Sequence, residues 1–306
     1  MKRILAALYI ICVVLGSCTD SHEQRRRLTL AERQRQKTAD SLALKIAVMP
    51  TADCFPVFVA HDRQLFDTAR VDVRLRGYTA QMDCDTALAG RSVEGAFSDL
   101  VRTERLIRKG VALDYALATN LHWQLVTGKK ARVSKPEQLG DKTLGMTRFS
   151  ATDYLSDKVL GGAKLQSQAF RIQVNDVHIR LSMLQNAELD AAWLPEPQAS
   201  AALGAGNRSI ADSLARKQTF GVLAFRSKAM KDKRIRAQID AFLEGYNQAC
   251  DSLNKYGVAH YADLLNRYCK VDRQTYERLS KMHFDHARKP SETDVETARQ
   301  YAKNTR

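Results

Sequence analysis

Several features that would assign a function at sight are missing from this 306-residue chain. Its six cysteines include no CxxC pair, and none clusters with histidines at zinc spacing, so no metal site or metal cofactor is expected. No nucleophile stands with a base in a catalytic constellation, and the seven histidines are scattered, so no enzyme is expected. Beyond the first fifteen residues no apolar run approaches membrane length. Lysine and arginine outnumber aspartate and glutamate, 48 to 34, for a formal net charge of +14. These cations are spread along the chain and are not interleaved with aromatics, as a single-strand binder requires, so no nucleic-acid partner is expected. The basicity reads as a solvated surface, or as one that faces anionic lipid.

What is present begins with a targeting segment. Lys2 and Arg3 precede an apolar run, Ile4 to Leu15, too short to span a bilayer comfortably. The run ends Leu15-Gly16-Ser17-Cys18, which resembles a bacterial lipobox; the alternative is an ordinary signal peptide with a chance cysteine. The first reading makes 1–17 a signal peptide and Cys18 a lipidated anchor that holds the chain extracytoplasmically on a bacterial membrane. Residues 18–43 are polar and rich in arginine and form a tether, with helix beginning near Leu30.

The stretch Leu44 to Phe66, LKIAVMPTADCFPVFVAHDRQLF, organises the remainder. A β-branched apolar run stopped by Pro50 is a buried strand, and Thr51 and Asp53 are placed to cap a following helix. A buried strand feeding a capped helix opens an α/β sheet, and such sheets bind ligands beyond the carboxyl ends of their strands. Thr51, Asp53, Cys54 and Phe55 are therefore candidate ligand contacts. Further strands are expected at 71–78, 93–99 and 113–118, giving a β-α-β-α-β-α-β parallel unit. Ser98 and Asp99 end the third strand, where they either contact a ligand or cap the next helix. A second unit follows, with strands at 123–128, 142–146, 171–174 and 190–194. There Ser150, Ala151 and Thr152 open a helix whose free amides suit an anion or a carbonyl, or only a cap. Trp193 and Glu196 stand at the last strand's carboxyl edge, the tryptophan as core or as an aromatic platform. The strand at 219–226 carries the chain back, and 234–256 is a long amphipathic helix. Cys12 leaves with the signal, so Cys54, Cys84, Cys250 and Cys269 remain. Their positions permit Cys54–Cys84 and Cys250–Cys269 disulfides in an exported chain.

Four segments, LKIAVMPTADCFPVFVAHDRQLFD, AFSDL, PEQLGDKTLGMTRFSATDYLSDKVL and NAELDAAWLPEPQASAAL, together resemble the binding proteins of ABC importers for nitrate, sulfonates, taurine and thiamine-type pyrimidines. The resemblance implies an α/β fold, the two-lobed type II periplasmic-binding-protein clamshell, each lobe a doubly wound, mostly parallel sheet with flanking helices. It divides the chain into a first lobe of 44–121 and 226–306 and a second of 122–225. It further implies a small-molecule ligand held between the lobes by Thr51 to Phe55, Ser98, Asp99, Ser150 to Thr152, Trp193 and Glu196. The implied partners are a permease and its ATPase.

The chain departs from that family in carrying Phe97-Ser98-Asp99-Leu100 where a glycine-rich segment is usual, and in Asp53 and Cys54 after the first strand. Asp53, Asp99 and Glu196 in one cleft would repel an anion, which favours an amine-bearing or heterocyclic ligand stacked on Trp193 or Phe55, unless Arg102 or Arg148 neutralises the cleft. The other readings are a lipid-anchored sensor or adaptor and, with less support, an enzyme related to thiamine-pyrimidine synthesis.

Overall fold

The computed structural model describes residues 30–216, 219–279 and 282–305. The signal segment 1–17 and Cys18 lie outside the described residues. Residues up to Ala43 form one unit, whose described part is the polar helix α1 (Leu30–Leu42), and Leu44–Arg306 form the other.

In the second unit, strands rich in apolar residues alternate with capped helices. The strands are β1 (Leu44–Val48), β2 (Val73–Gly77), β3 (Gly95–Asp99), β4 (Leu113–Ala118), β5 (Trp123–Thr127), β6 (Thr143–Met146), β7 (Phe170–Gln173), β8 (Ala191–Pro195), β9 (Arg208–Asp212) and β10 (Gly221–Arg226). Between and after them run α2 (Phe55–Asp62), α3 (Gln81–Ala89), α4 (Leu100–Arg108), α5 (Ala151–Gly162), α6 (Val177–Gln185), α7 (Gln198–Gly204), α8 (Ser227–Lys231), α9 (Lys233–Tyr256), α10 (Arg273–Arg278) and α11 (Glu292–Asn304). Helix starts follow the expected chemistry. Asp99 accepts from the Arg102 amide, Ser150 from that of Thr152, and Asp176 from those of His178 and Ile179, while Pro56 occupies the first turn of α2.

The strands form two five-stranded sheets, β2-β1-β3-β10-β4 and β7-β6-β8-β5-β9. Both are mostly parallel, with one reversed strand each. In the first, β10 runs antiparallel to β3 and β4; in the second, β5 runs antiparallel to β8 and β9. These two reversed strands are the ones that arrive from the other lobe. Entering at the edge where their neighbours end, they must run against them. The returning strand β10 lies inside the first sheet, between β3 and β4. The strand β9 was not expected, since Arg-Ser-Ile-Ala-Asp is polar and only partly buried; as an edge strand paired to β5 alone it needs no second apolar face.

One hydrophobic core lies under the first sheet, where Ile239, Phe242 and Tyr246 of α9 pack against α2 and β1 residues. Phe66 stacks on Phe242 at 5.3 Å and Phe58 on Tyr268 at 4.0 Å. The second lobe's core around Leu125, Leu144, Leu155 and Trp193 is continuous with Leu100, Phe220, Val222 and Ala298, so packing runs through the crossing segments.

Close approach at the crossing fixes one glycine. A Cβ on Gly221 would stand 2.2 Å from Thr119 Oγ1 and 2.4 Å from Leu121 Cβ, whereas one on Gly77 meets nothing within 4 Å. Gly221→Val is therefore expected to destabilise the chain by about 3 kcal/mol and Gly77→Val by well under 1 kcal/mol, read from denaturant midpoints. Equal midpoints for the two variants would mean that the crossing yields.

Candidate functional site

The loop after β1, the end of β3, the loop after β6 and the end of β8 face one another across the seam between lobes. Direct hydrogen bonds close that seam. Ala52 N donates to Glu196 O at 2.8 Å, Gln198 Nε2 to Pro50 O at 2.8 Å, and Val177 N to Thr79 O at 3.1 Å. Arg102 Nη1 donates to Arg148 O at 3.3 Å, and the Arg105 guanidinium sits 3.6 Å from the Phe149 ring centroid. The seam holds a partly open cavity of about 40 Å³ lined from both lobes.

Six of the expected contacts line it: Thr51, Asp53, Ser98 and Asp99 from the first lobe, Ser150 and Thr152 from the second. The other five do not. Cys54 and Phe55 are buried in the first core, where the Cys54 thiol accepts from Met49 N at 3.4 Å. Ala151 contributes its amide to Asp99 and no side chain to the cavity. Trp193 is core and not a platform: its indole Nε1 donates to Ser156 Oγ at 3.0 Å beneath α5. Every residue of β8 is buried, so the strand's alternation gave no indication of which side chains face the cleft. Glu196 is occupied structurally, accepting from Gln124 Nε2 at 2.9 Å and from Ser200 N at 3.0 Å.

The charges are arranged differently from the expected three-carboxylate cleft. Asp99 Oδ1 accepts from Arg102 N at 3.0 Å and, across the seam, from Ala151 N at 3.1 Å. The amides that open α5, a potential anion site, thus already hold the first lobe's own carboxylate. Burial, only partly offset by Arg102, raises the Asp99 pKa to about 7. Arg102 does not neutralise the cavity directly, because it is ion-paired to Asp85, which also accepts from Ser98 Oγ at 3.2 Å. Arg148 contributes a backbone carbonyl to the seam. Asp53 is buried, and its pKa is raised by desolvation; Oδ2 accepts from Thr119 Oγ1 at 3.3 Å, while Oδ1 has no partner.

Reasoning from sequence missed Gln81, Trp123, Thr147, Asn175 and Arg180 at the cavity. Arg180 carried a signal: it stands between Ile179 and Leu181 in the segment Val177-His178-Ile179-Arg180-Leu181. Its guanidinium is buried, with Nε donating to Val174 O, Nη1 to Trp193 O and Nη2 to Thr147 Oγ1 at 2.7–2.8 Å, and burial lowers its pKa to about 10. Trp123, at the start of β5, brings an indole to the wall that Trp193 was expected to supply.

The expected disulfides are not formed. Cys54, Cys84, Cys250 and Cys269 are all free and buried. The Cys250 thiol donates to Asp285 O at 3.4 Å, and the Cys54 thiol accepts from Met49 N, so these two sulfurs are directed to other partners. Desolvation raises all four thiol pKa values, that of Cys250 to about 12, which makes them poor thiolates. Among the described residues no group of three or more His, Cys, Asp or Glu is placed to hold a metal ion, and no helix is long and apolar enough to cross a membrane.

No family model matches the chain, and no curated protein matches it in sequence. Solved structures do match its fold. The alkanesulfonate-binding protein SsuA from Xanthomonas axonopodis pv. citri, bound to MOPS, aligns with a TM-score of 0.70 and 18% identity over 85% of this chain and 90% of that one. A zinc-bound ligand-binding component of an ABC-type import system from Staphylococcus aureus gives 0.69 and 13% over 85% and 90%. The periplasmic nitrate-binding protein from Synechocystis gives 0.66 and 11% over 81% and 74%. The chain therefore has the two-lobed α/β fold of periplasmic binding proteins, and its structural neighbours are of the kind that its sequence segments resemble.

Proposed function

We propose that this chain is the extracytoplasmic substrate-binding component of an ABC importer, lipid-anchored through Cys18, that holds a small amine-bearing solute between its lobes and delivers it to a permease and its ATPase. The observation that carries the reading is the closed seam, where the two α/β lobes border one cavity whose wall includes the unpartnered Asp53 Oδ1. A buried carboxylate oxygen without a donor is costly, and an ammonium or N–H donor on a ligand would satisfy it. Clamshell closure of this kind buries a solute and changes the outer surface that a membrane partner meets. The role includes no catalytic step.

Size narrows the solute. About 40 Å³ of space corresponds to roughly three waters, which suits a molecule of a few heavy atoms better than a thiamine-type pyrimidine. Asp99 on the α5 amides also disfavours a bare anion there. The test uses the Cys18→Ala chain. It is expected to move from the membrane fraction to the soluble one and, purified without added solute, to retain a small-molecule mass in native mass spectrometry. Unchanged fractionation would remove the anchor. An empty protein that also gains no stability from any of a panel of amines, pyrimidines and sulfonates would remove the binding role.

A further inference from the structure

The first sheet has one end at the seam, where Val48, Asp99 and Gly221 stand, and an opposite end far from it. Strand pairing gathers Leu44, Val73, Gly95, Leu113 and Arg226 at that opposite end. There the chain enters the lobe, and there β10 gives way to α8 and α9. The segment at that junction reads Arg226-Ser227-Lys228-Ala229-Met230-Lys231-Asp232-Lys233-Arg234-Ile235-Arg236, six cations against one carboxylate. Lys228, Lys231 and Lys233 are exposed, and their ammonium groups have no hydrogen-bond or ion-pair partner among the described residues. Arg91 and Lys109, in the turns that lead into β3 and β4, add two exposed cations at the same end. Neighbouring carboxylates are engaged. Glu94 accepts from Lys45 N at 2.9 Å and pairs with Arg226 at 3.5 Å, and Asp72 pairs with Arg74 at 2.8 Å. Asp232 accepts from Ile235 N at 3.0 Å at the start of α9, and Asp240 pairs with Arg236 at 3.0 Å. Asp114 is exposed and makes no ion pair among the described residues. The fields of the unpaired cations therefore add on one side of the lobe.

We infer that this end of the first lobe is a docking surface for an anionic bilayer, with the seam on the far side of the lobe. Two observations select a bilayer. The end that carries the charge is the end at which the chain arrives from residues 18–43, so an anchor at Cys18 tethers this face to the headgroups. The unpaired groups on α8 and α9 are lysines, compact charges on flexible stems, which suit many mobile headgroups better than one fixed anion. Each basic residue near an anionic surface strengthens binding about fivefold, so three of them together contribute about 100-fold. The inference rests on the proposed anchor for its setting, and its test uses an unlipidated chain, so it fails or stands apart from that reading.

The test is co-sedimentation of the mature chain, residues 18–306 with Cys18→Ala, with vesicles of phosphatidylcholine alone or with about one-third phosphatidylglycerol. Binding is expected to the mixed vesicles only, and to be lost between about 0.1 M and about 0.5 M salt as the charges are screened. Replacing Lys228, Lys231 and Lys233 together by Gln is expected to weaken that binding by about 100-fold with an unchanged melting temperature, since all three are exposed. Removing the same charge from the second lobe, with Lys129, Lys130 and Lys135 changed to Gln, is expected to weaken it less than threefold. A loss below tenfold in the first variant overturns the inference and assigns any binding to the tether. Equal losses in the two variants overturn it in favour of net charge alone. Equal binding to both kinds of vesicle, or to neither, overturns it as well, while the membrane fractionation of the lipidated chain tests the anchor separately.

Discussion

Trp193→Ala is expected to lower the stability of the folded chain by about 3–5 kcal/mol, because it removes a large, fully buried ring and leaves a cavity that the surrounding sheet and helix fill only in part. The ring lies between β8 and α5, in the core that also contains Leu144 and Leu155. Its loss also leaves Ser156 Oγ without the indole donor, although that hydroxyl still donates to Thr152 O at 2.7 Å. For a chain of this size the melting temperature is expected to fall by roughly 10 °C. Solute affinity measured well below that temperature is expected to stay within about threefold of the parent, since the ring does not line the cavity. The reverse pattern, a normal melting temperature with binding lost, would restore Trp193 as a ligand platform.

The second large effect concerns pH. Asp99 has its pKa raised from 3.8 to about 7 by burial, so the folded, closed chain binds a proton more readily than the unfolded chain. Stability from this group is fully present below about pH 4 and is lost as pH rises toward 7. A difference of that size corresponds to about 4 kcal/mol between the two ends of the window. Asp53 and Asp85 are raised in the same direction, so a single substitution is needed to isolate Asp99. Asparagine keeps an oxygen that can accept from Arg102 N and Ala151 N without a charge. Asp99→Asn is therefore expected to unfold at higher urea than the parent at pH 8 and at nearly the same urea at pH 4. Parallel pH profiles for the two chains would show that Asp99 does not titrate in this window.

Much of the fold was legible because it depends on neighbours in sequence. Leu44 to Val48 is apolar and β-branched and became β1, and Asp99 and Ser150 cap the helices that follow them, as their chemistry favours. Pro50 and Pro195 fall where strands β1 and β8 give way to the loops of the seam. Six of the eleven expected contacts reached the cavity for the same reason: they lie at or just beyond the carboxyl ends of strands, and the α/β rule places those ends together. The polar edge strand β9 was not legible, since its five residues carry no pattern apart from their pairing to β5.

By itself, then, the amino-acid sequence determined the succession of strands and capped helices, the α/β class and the loops that meet at the seam, because propensity, capping and apolar periodicity act over a few residues. Tertiary structure decided which side chains face the cavity and which charges meet. In a strand buried on both faces, alternation does not say that Trp193 packs beneath α5 while Pro195 reaches the cavity. Nor can it say that Asp99 crosses to the amides of α5, that Arg102 turns to Asp85, or that Arg180 stands at the cavity with Asp53 on the other lobe. Those relations join residues tens of positions apart, and electrostatic energy depends on their separation and burial once the lobes are shut.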